Sequence, residues 1–277
     1  WIRHKFNRFV EGYLIMTEEQ KKIIELFNKN VKGKKADTSL SNQKHDGKNG
    51  HWLERQMGIT ANANNAPDLF GYEMKNQTSS GKITFGDWTA DEYIFKNKTG
   101  KKIHDTNKDY NLTRDDFFRI FGKPNEEKEG RLSWSGIPCP NRYNKINTFG
   151  QILTIDSNEN IVIIYSFAKD ARVDKNNIVP QELQKENLVL AKWNRESIKK
   201  KLEKKFNQKG WFTCKTNSNG EYESIHFGAP MDFDGWLKLF KEGIVFFDSG
   251  MYQGNNRNYS QWRASSSYWD SLIIESY

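Results

Sequence analysis

The short segment from Pro67 to Lys75 constrains the fold of this chain more than any other. Its last four residues, Tyr-Glu-Met-Lys, alternate between side chains suited to a core and side chains that carry charge. Alternation with a period of two is typical of a β-strand, so Glu73 and Lys75 project from one face and Met74 from the other. The chain must therefore build a sheet that buries Met74 and accepts two opposite charges on its other face.

Periodic apolar positions predict further elements on both sides of this strand. Thr17 can cap a helix that begins with Glu18 and Glu19, because acidic residues in the first turn complement the helix dipole. The other predicted helices are 52–57, 197–206 and 233–242, and the other predicted strands are 82–85, 244–247 and a hairpin of 150–155 with 160–166. Helices and strands are interleaved without repeats, which predicts a mixed α/β (α+β) fold.

The composition is that of a folded protein with a polyanionic partner. Nine Trp, eleven Tyr and eighteen Phe can supply a packed core in a chain of 277 residues that is otherwise hydrophilic. A net charge of +8 suits a polyanion, although many other proteins carry a similar charge. No run approaches the ~18 apolar residues of a membrane-spanning helix. Cys139 and Cys214 fit neither a disulfide framework nor a zinc motif, so we expect reduced thiols in a cytoplasmic protein.

The N-terminal residues suggest a start inside the sequence. Met16 is followed by Thr-Glu-Glu-Gln and an amphipathic stretch, as at many native starts. Arg8, Glu11 and Gly12 interrupt the apolar residues before it, so no signal peptide is predicted. We expect translation to begin at Met16 and residues 1–15 to be upstream, non-native sequence.

Four charged residues in and before the Pro67–Lys75 segment have the chemistry of a metal-dependent phosphodiesterase. Mg²⁺ prefers hard oxygen ligands and makes a nearby water acidic enough to attack phosphorus. Asp68 would bridge the metal and the scissile phosphate, and Glu73 would ligate the same metal. Lys75 would orient the attacking water and offset charge, and Glu54 would complete the acidic cluster. An ordinary solvated strand with a Glu/Lys pair has the same short pattern, so both interpretations stay open here.

The wider pattern favours the catalytic interpretation. Gly47-Lys-Asn-Gly50-His-Trp-Leu53-Glu54 is followed by Ala66-Pro67-Asp68-Leu and then by Gly71-Tyr-Glu73-Met-Lys75. This stretch resembles the PD-(D/E)xK nuclease superfamily and, within it, the MutH-like branch with its MvaI/BcnI-type type II restriction endonucleases. The residues at the four positions that match the family motif are Glu54, Asp68, Glu73 and Lys75. The stretch departs from the family pattern at Leu69-Phe70, before Gly71, and at Asn76, where a Thr often follows the Lys.

The resemblance implies a restriction-endonuclease-like fold, with a central mixed sheet flanked by helices and two lobes that form a DNA cleft. It implies a monomeric prokaryotic type II restriction endonuclease that hydrolyses double-stranded DNA with Mg²⁺ and leaves 5′-phosphate and 3′-hydroxyl ends. A short site of the CCNGG kind and a separate companion DNA methyltransferase are also implied. Two alternatives remain: a MutH-like repair endonuclease that nicks one strand, and a DNA-binding module without catalysis.

The C-terminal tail carries side chains that base recognition needs. Residues 248–263 are rich in Gly, Asn, Gln and Arg, and Arg can bond guanine, or Asn and Gln adenine, through two hydrogen bonds. The resemblance to enzymes that contact bases with a C-terminal loop points to Tyr252, Arg257, Gln261 and Arg263. Lys82 either binds a phosphate or is solvated, and an exposed polar loop is the alternative for the tail. We expect a catalytic lobe at 16–175 and a DNA-recognition lobe at 176–277.

Overall fold

The computed structural model describes residues 16–39, 47–60, 65–96, 100–103 and 110–277, together with the backbone of residues 9–10 and 13–14. The prediction that residues 1–15 are upstream sequence concerns residues that lie, apart from those two pairs, outside the described part of the chain. No helix of the described residues combines the length and the apolar character that crossing a membrane requires.

Helices and strands alternate along the described residues, which confirms the predicted mixed α/β class. The helices are α1 (Glu18–Asn30), α2 (Lys48–Gln56), α3 (Arg114–Phe121), α4 (Lys175–Ile178), α5 (Arg195–Phe206), α6 (Phe233–Lys241) and α7 (Ser266–Ser271). The strands are β1 (Phe9–Val10), β2 (Tyr13–Leu14), β3 (Tyr72–Lys75), β4 (Lys82–Asp87), β5 (Glu92–Tyr93), β6 (Lys123–Asn125), β7 (Arg131–Trp134), β8 (Phe149–Ile155), β9 (Ile161–Asp170), β10 (Leu188–Trp193), β11 (Gly210–Thr216), β12 (Tyr222–Gly228), β13 (Phe246–Ser249), β14 (Met251–Tyr252), β15 (Ser260–Ser265) and β16 (Ile273–Ser276).

The chain divides into two compact units that interleave along the sequence. Unit 1 comprises Trp1–Ser80, Gln208–Pro230 and Leu272–Tyr277, and unit 2 comprises Gly81–Asn207 and Met231–Ser271. Neither unit ends at residue 175, because β11, β12 and β16 belong to the same sheet as β3. The assignment of catalysis to 16–175 and of DNA recognition to 176–277 concerns function and stays a prediction.

Unit 1 is built on a four-stranded mixed sheet in the order β16–β12–β11–β3. The edge strand β3 runs parallel to β11, with Glu73 opposite Trp211 and Lys75 opposite Thr213. The strand β12 is antiparallel to both of its neighbours. Helices α1 and α2 cover the face that carries Met74, and their buried residues in this hydrophobic cluster are Ile23, Phe27, Trp52 and Leu53.

The described residues of unit 2 form three antiparallel sheets in the orders β5–β10–β9–β8, β13–β15–β4 and β14–β7–β6. Its core is largely aromatic, as the sequence predicted. The ring centroid of the fully buried Trp262 lies 5.4 Å from that of Trp193, 5.5 Å from Trp236, 5.7 Å from Phe240 and 5.0 Å from Phe247. Rings at these separations contribute packing beyond their buried area, so Trp262 holds the central strand β15 on the core.

Most elements predicted from periodicity are present within a few residues of their predicted bounds. The strand at 72–75 is β3, and the predicted hairpin is formed by β8 and β9. Thr17 caps α1 through a capping box, in which its hydroxyl accepts from the Gln20 backbone and the Gln20 side chain accepts from the Thr17 backbone. The basic helix α5 turns Leu202 and Phe206 into the core, as expected.

The C-terminal tail differs from the expected loop. It contains β14 and most of β15, and only residues 253–259 run irregularly between them. In β15 the buried residues Ser260, Trp262 and Ala264 alternate with the half-buried Gln261 and Arg263. The expectation of a loop was wrong for these two residues, because the Gly- and Asn-rich sequence before them hid a short period-two strand.

Candidate active site and DNA-binding face

A tight turn joins the Pro-Asp pair to β3. The backbone groups of Leu69 and Tyr72 bond each other in both directions, at 3.0 and 2.8 Å. Between them, Phe70 and Gly71 both have positive φ, at 48° and 87°. Positive φ at both central positions is typical of a type I′ turn, which reverses the chain between two antiparallel segments. The Leu69-Phe70 departure from the family pattern therefore forms the turn that folds Asp68 back along β3.

The Asp68 carboxylate is fixed against the edge of β3. Its Oδ2 atom accepts a hydrogen bond of 2.9 Å from the backbone N–H of Met74, in the middle of the strand. A carboxylate that accepts a backbone N–H is held in one orientation and remains able to accept from or ligate other groups. The turn thus brings Asp68 beside the strand that carries Glu73 and Lys75.

Glu73 and Lys75 lie on one face of β3 and contact each other. The Lys75 Nζ atom is 2.9 Å from Glu73 Oε1. Both residues are buried, with 2% of Glu73 and 5% of Lys75 exposed. Met74 points the other way into the core of unit 1, which is the arrangement that the alternating sequence predicted. Burying an ion pair carries a desolvation cost that can exceed its Coulombic gain, so such a pair is weak evidence for a stabilising role.

Helix α2 approaches the end of β3 through a glycine. A Cβ atom at Gly50 would stand 2.9 Å from Nδ2 of Asn76, the residue that follows β3. Glu54 is one turn further along α2 and therefore lies on the same helix side as Gly50. Its carboxylate is 3.2 Å from His51 Nδ1 and its side chain is one-third exposed. A side chain at position 50 would therefore have to displace the Asn76 amide.

The carboxylates near β3 fit a divalent cation in donor type. Asp68 and Glu73 supply the hard oxygen atoms that Mg²⁺ prefers, and Mg²⁺ is commonly bound by one or two carboxylates together with waters and phosphate oxygens. Among the described residues, however, no three His, Cys, Asp or Glu side chains come together as a group that could hold a metal. The structure therefore does not gather Glu54 with Asp68 and Glu73 as a third ligand.

The residues expected to contact DNA bases all lie in unit 2. Gln261 and Arg263 stand on β15 in the sheet β13–β15–β4, on the face opposite Trp262. Cross-strand pairing puts Gln261 between Asp248 and Asp87, while the Arg263 NH1 atom is 3.2 Å from Asp248 Oδ2. The Gln261 Oε1 atom also accepts a hydrogen bond from Arg263. This sheet face therefore presents a row of hydrogen-bonding side chains.

Arg257 extends from the irregular segment between β14 and β15. Its NH2 atom is 2.6 Å from Asp87 Oδ2, and 58% of the side chain is exposed. The guanidinium also lies over the Tyr259 ring, with its central carbon 4.4 Å from the ring centroid. An exposed Arg held by a carboxylate keeps donors available for another partner, because the planar group carries five N–H bonds.

Tyr252 and Lys82, the other two predicted DNA contacts, lie beside aromatic or cationic side chains. Tyr252 pairs with Ser133 of β7, and the Arg131 guanidinium stacks on its ring at 3.6 Å. Lys82 is exposed at the start of β4, with its Nζ atom 5.8 Å from the centroid of the Phe246 ring. Both residues remain predicted DNA contacts.

Three residues that the sequence did not single out contact the predicted DNA-binding residues, either at their side chains or at their backbone. Asp87 and Asp248 bond Arg257 and Arg263, and Arg114 bonds the segment that carries Arg257. No periodicity or motif marks these contacts, which join residues up to 170 positions apart. Only the capping pattern Thr113-Arg-Asp-Asp signals that Arg114 begins a helix.

Comparisons with known proteins agree with one another. A family model described as the LlaMI restriction endonuclease matches residues 31–277. The type II restriction enzyme ScrFI of Lactococcus lactis subsp. cremoris is 48% identical over an alignment of 270 residues that covers 94% of this chain and 99% of ScrFI. A solved complex of the restriction endonuclease MvaI with its cognate DNA substrate has a TM-score of 0.57 at 14% identity, covering 95% of this chain and 99% of that chain. At this low identity, the likeness to MvaI concerns the fold.

Proposed function

The chain belongs to the LlaMI restriction endonuclease family and is a type II restriction endonuclease, and we propose that it cuts double-stranded DNA with Mg²⁺ at a centre formed by Glu54, Asp68, Glu73 and Lys75. The observation that carries this proposal is the arrangement around β3. The Asp68 carboxylate is bonded to the backbone of Met74, and the buried Lys75 ammonium touches Glu73 on the same strand. A buried charge pair beside an oriented carboxylate is better explained by catalysis than by stability.

When bound, Mg²⁺ supplies Lewis acidity toward the phosphate and makes a nearby water acidic enough to attack phosphorus. Asp68 and Glu73 would hold the cation through their carboxylate oxygens, and Glu54 would act from α2 through a water. Lys75 donates a hydrogen bond to the attacking water and offsets the negative charge that develops on phosphorus. The water oxygen would bond phosphorus and give up a proton to solvent while the bond to the 3′ oxygen breaks, and that oxygen would take up a proton from solvent. The products are a 5′-phosphate and a 3′-hydroxyl.

We further propose that Tyr252, Arg257, Gln261 and Arg263 contact bases and that Lys82 binds a backbone phosphate. An Arg beside a carboxylate and a Gln amide are suited to base edges, whereas an exposed Lys is suited to a phosphate. The pairs Arg257–Asp87 and Arg263–Asp248 support this assignment, because each carboxylate orients a guanidinium before DNA arrives.

The remaining features of the function follow from the resemblance of the Pro67–Lys75 segment to the MutH-like branch of the PD-(D/E)xK nucleases. They are action as a monomer, a site of the CCNGG kind, work in the prokaryotic cytoplasm where the DNA is, and a companion DNA methyltransferase that protects the host site. We propose these features together as one restriction system.

Incubation of the purified chain with phage DNA and Mg²⁺, beside an Asp68→Ala variant, tests the proposal. We expect discrete fragments from the unaltered chain alone, and sequencing of the fragment ends gives the site and the cut position. Binding of DNA by the Asp68→Ala variant, measured without metal, shows that this variant is folded.

Other outcomes would contradict particular parts of the proposal. Equal cleavage by Asp68→Ala would remove Asp68 from the active site. Nicks without double-strand breaks would favour a MutH-like repair endonuclease. Fragment ends that share no CCNGG-like sequence would overturn the proposed site and leave the catalytic assignment in place.

A further inference from the structure

The segment that carries Arg257 has no regular secondary structure of its own. We call residues 253–259, between β14 and β15, the tail loop. Irregular backbone needs partners for its polar groups, because each unpaired buried group costs free energy. The conformation of the tail loop therefore depends in part on side chains outside it.

Arg114 supplies three of those contacts from the first turn of α3. Its Nε atom donates to Asn258 Oδ1 at 2.8 Å, and its NH2 atom donates to the Arg257 carbonyl at 3.1 Å. Its NH1 atom donates to the carbonyl of Tyr252, just before the loop, at 3.1 Å. The three nitrogen atoms of one guanidinium thus join both ends of the tail loop to α3.

The surroundings fix Arg114 and its main partner in place. The guanidinium carbon lies 4.5 Å from the centroid of the Phe118 ring, one turn further along α3. Asn258 is buried, with 6% exposed, and its backbone carbonyl accepts hydrogen bonds from Thr89 and Ser260 at 3.0 Å each. Both partners of the Arg114–Asn258 hydrogen bond are therefore held by other contacts.

We propose that Arg114 is a positioning residue for DNA recognition: it holds the tail loop in the conformation that presents Arg257 and Tyr252. This inference rests on the proposed role of these two residues in contacting bases. Arg114 touches their backbone carbonyls, so it acts on recognition through the loop. Its removal would let the loop adopt several conformations, and ordering the loop on DNA would then cost part of the binding free energy.

The geometry requires arginine at this position. A guanidinium donates from three nitrogen atoms in one plane, whereas a lysine offers one ammonium group on a flexible chain. Arg114→Lys retains the positive charge and loses the fixed fork. It therefore separates the positioning role from a general attraction to DNA phosphates.

The matched control is Arg119→Lys on the same helix. Arg119 is 60% exposed and pairs with Asp116 of α3 at 2.6 Å.

Two measurements compare the variants. Hydrogen exchange of the backbone amides of residues 253–259 measures the order of the tail loop directly, without DNA or metal. Cleavage of a duplex with the cognate site, against duplexes with one altered base pair, measures discrimination.

For Arg114→Lys we expect exchange in the tail loop at least about tenfold faster and discrimination about tenfold weaker, with the loss mainly in KM. Arg119→Lys should change neither quantity. Unchanged exchange in Arg114→Lys would overturn the inference, and so would faster exchange that is equal in both variants.

An Arg257→Ala variant separates failure of this inference from failure of the proposed recognition role. If Arg257→Ala keeps full discrimination while Arg114→Lys still speeds exchange in the tail loop, the positioning role stands. In that case, it is the assignment of Arg257 to base contact that fails.

Discussion

The three cationic side chains predicted to contact DNA have different neighbours, and these neighbours predict what each side chain contributes to DNA binding. Arg257 and Arg263 each touch a carboxylate, from Asp87 at 2.6 Å and from Asp248 at 3.2 Å. Such a partner fixes the guanidinium plane and reduces its net attraction for phosphate. Lys82 is an exposed residue whose Nζ atom lies 5.8 Å from the centroid of the Phe246 ring. We therefore expect the arginines to control specificity and Lys82 to control affinity.

Substitutions at two of these positions test that distinction. Arg263→Lys keeps the charge and loses the bidentate fork, so discrimination against one altered base pair should fall by about 1–3 kcal/mol. Lys82→Ala should weaken binding equally for all sequences and make the slope of log K against log salt less negative by about 1. Binding isotherms at several salt concentrations measure both. If Lys82→Ala lost discrimination, or if Arg263→Lys kept it, the assignment of specificity to the arginines and of affinity to Lys82 would be wrong.

At the scale of elements, the turn before β3 brings the active-site segment together. Gly71 has φ of +87° in this turn, and the turn directs Asp68 to the Met74 backbone. A side chain at such a φ costs about 1–2 kcal/mol. A Cβ atom at Gly71 would also stand 3.2 Å from Lys209 Cγ, so either the Lys209 side chain or the turn must move by a few tenths of an ångström.

Gly71→Ala should therefore reduce both stability and cleavage. We expect a loss of about 1–2 kcal/mol in the free energy of unfolding and a cleavage rate up to about 10²-fold lower, because small displacements of catalytic groups are costly. Gly33→Ala is the control, since Gly33 has φ of +76° and no atom within 4 Å of its added Cβ. It should lose similar stability and keep its cleavage rate. Equal cleavage by the two variants would mean that the turn does not position Asp68.

Elements with a clear period could be predicted from sequence, whereas contacts between distant elements could not. The strand predicted at 72–75 has the same bounds as β3, because the alternation of Met74 with Glu73 and Lys75 marks it clearly. In β15 the same alternation was missed because only Trp262 and Ala264 are apolar and a Gly- and Asn-rich segment precedes them. Helix α2 begins at Lys48, four residues before the predicted start, since its first turn carries no apolar residue.

On the scale of the whole molecule, pairing across long sequence distances sets the two units. Unit 1 recruits three strands from residues beyond 207 to pair with each other and with β3, so no single boundary along the chain could separate the units. The four predicted catalytic residues lie in unit 1 and the predicted DNA contacts lie in unit 2. The sequence indicated the two sets of residues through motif and composition, but it carried no signal for their division between these units.

A buried ion pair in unit 2 links overall stability to pH. Asp170 is 3% exposed, and the Arg172 NH2 atom is 2.6 Å from its Oδ2 atom. Burial alone would raise the pKa of Asp170, but the hydrogen bonds and charge of Arg172 outweigh it and lower the pKa below its ordinary value. A carboxyl with a lowered pKa stabilises the folded state above its unfolded pKa of about 3.9, and this contribution is lost as the pH falls through the folded pKa.

Arg172→Met should therefore destabilise the protein in a pH-dependent way. We expect a loss of about 3–5 kcal/mol near pH 7, because the variant leaves an uncompensated buried carboxylate. The difference from the unaltered chain should shrink as the pH falls, first through the raised pKa of the unpaired Asp170 in the variant and then through the lowered pKa of Asp170 in the unaltered chain. Arg119→Met, which removes a largely exposed ion pair, should cost at most about 1 kcal/mol. Denaturant unfolding from pH 3 to 7 measures this, and a difference that is constant with pH would refute the account.

The central claim, that the carboxylates at β3 hold the metal that cuts DNA, is tested most directly by single-turnover cleavage with Glu73→Gln. The enzyme and a duplex with its site are mixed without metal, and Mg²⁺ then starts the reaction. We predict that Glu73→Gln binds the duplex as tightly as the unaltered chain and cleaves it at least about 10²-fold more slowly, because one ligand and the partner of Lys75 are lost. Cleavage at an unchanged rate would contradict the claim and place the metal elsewhere.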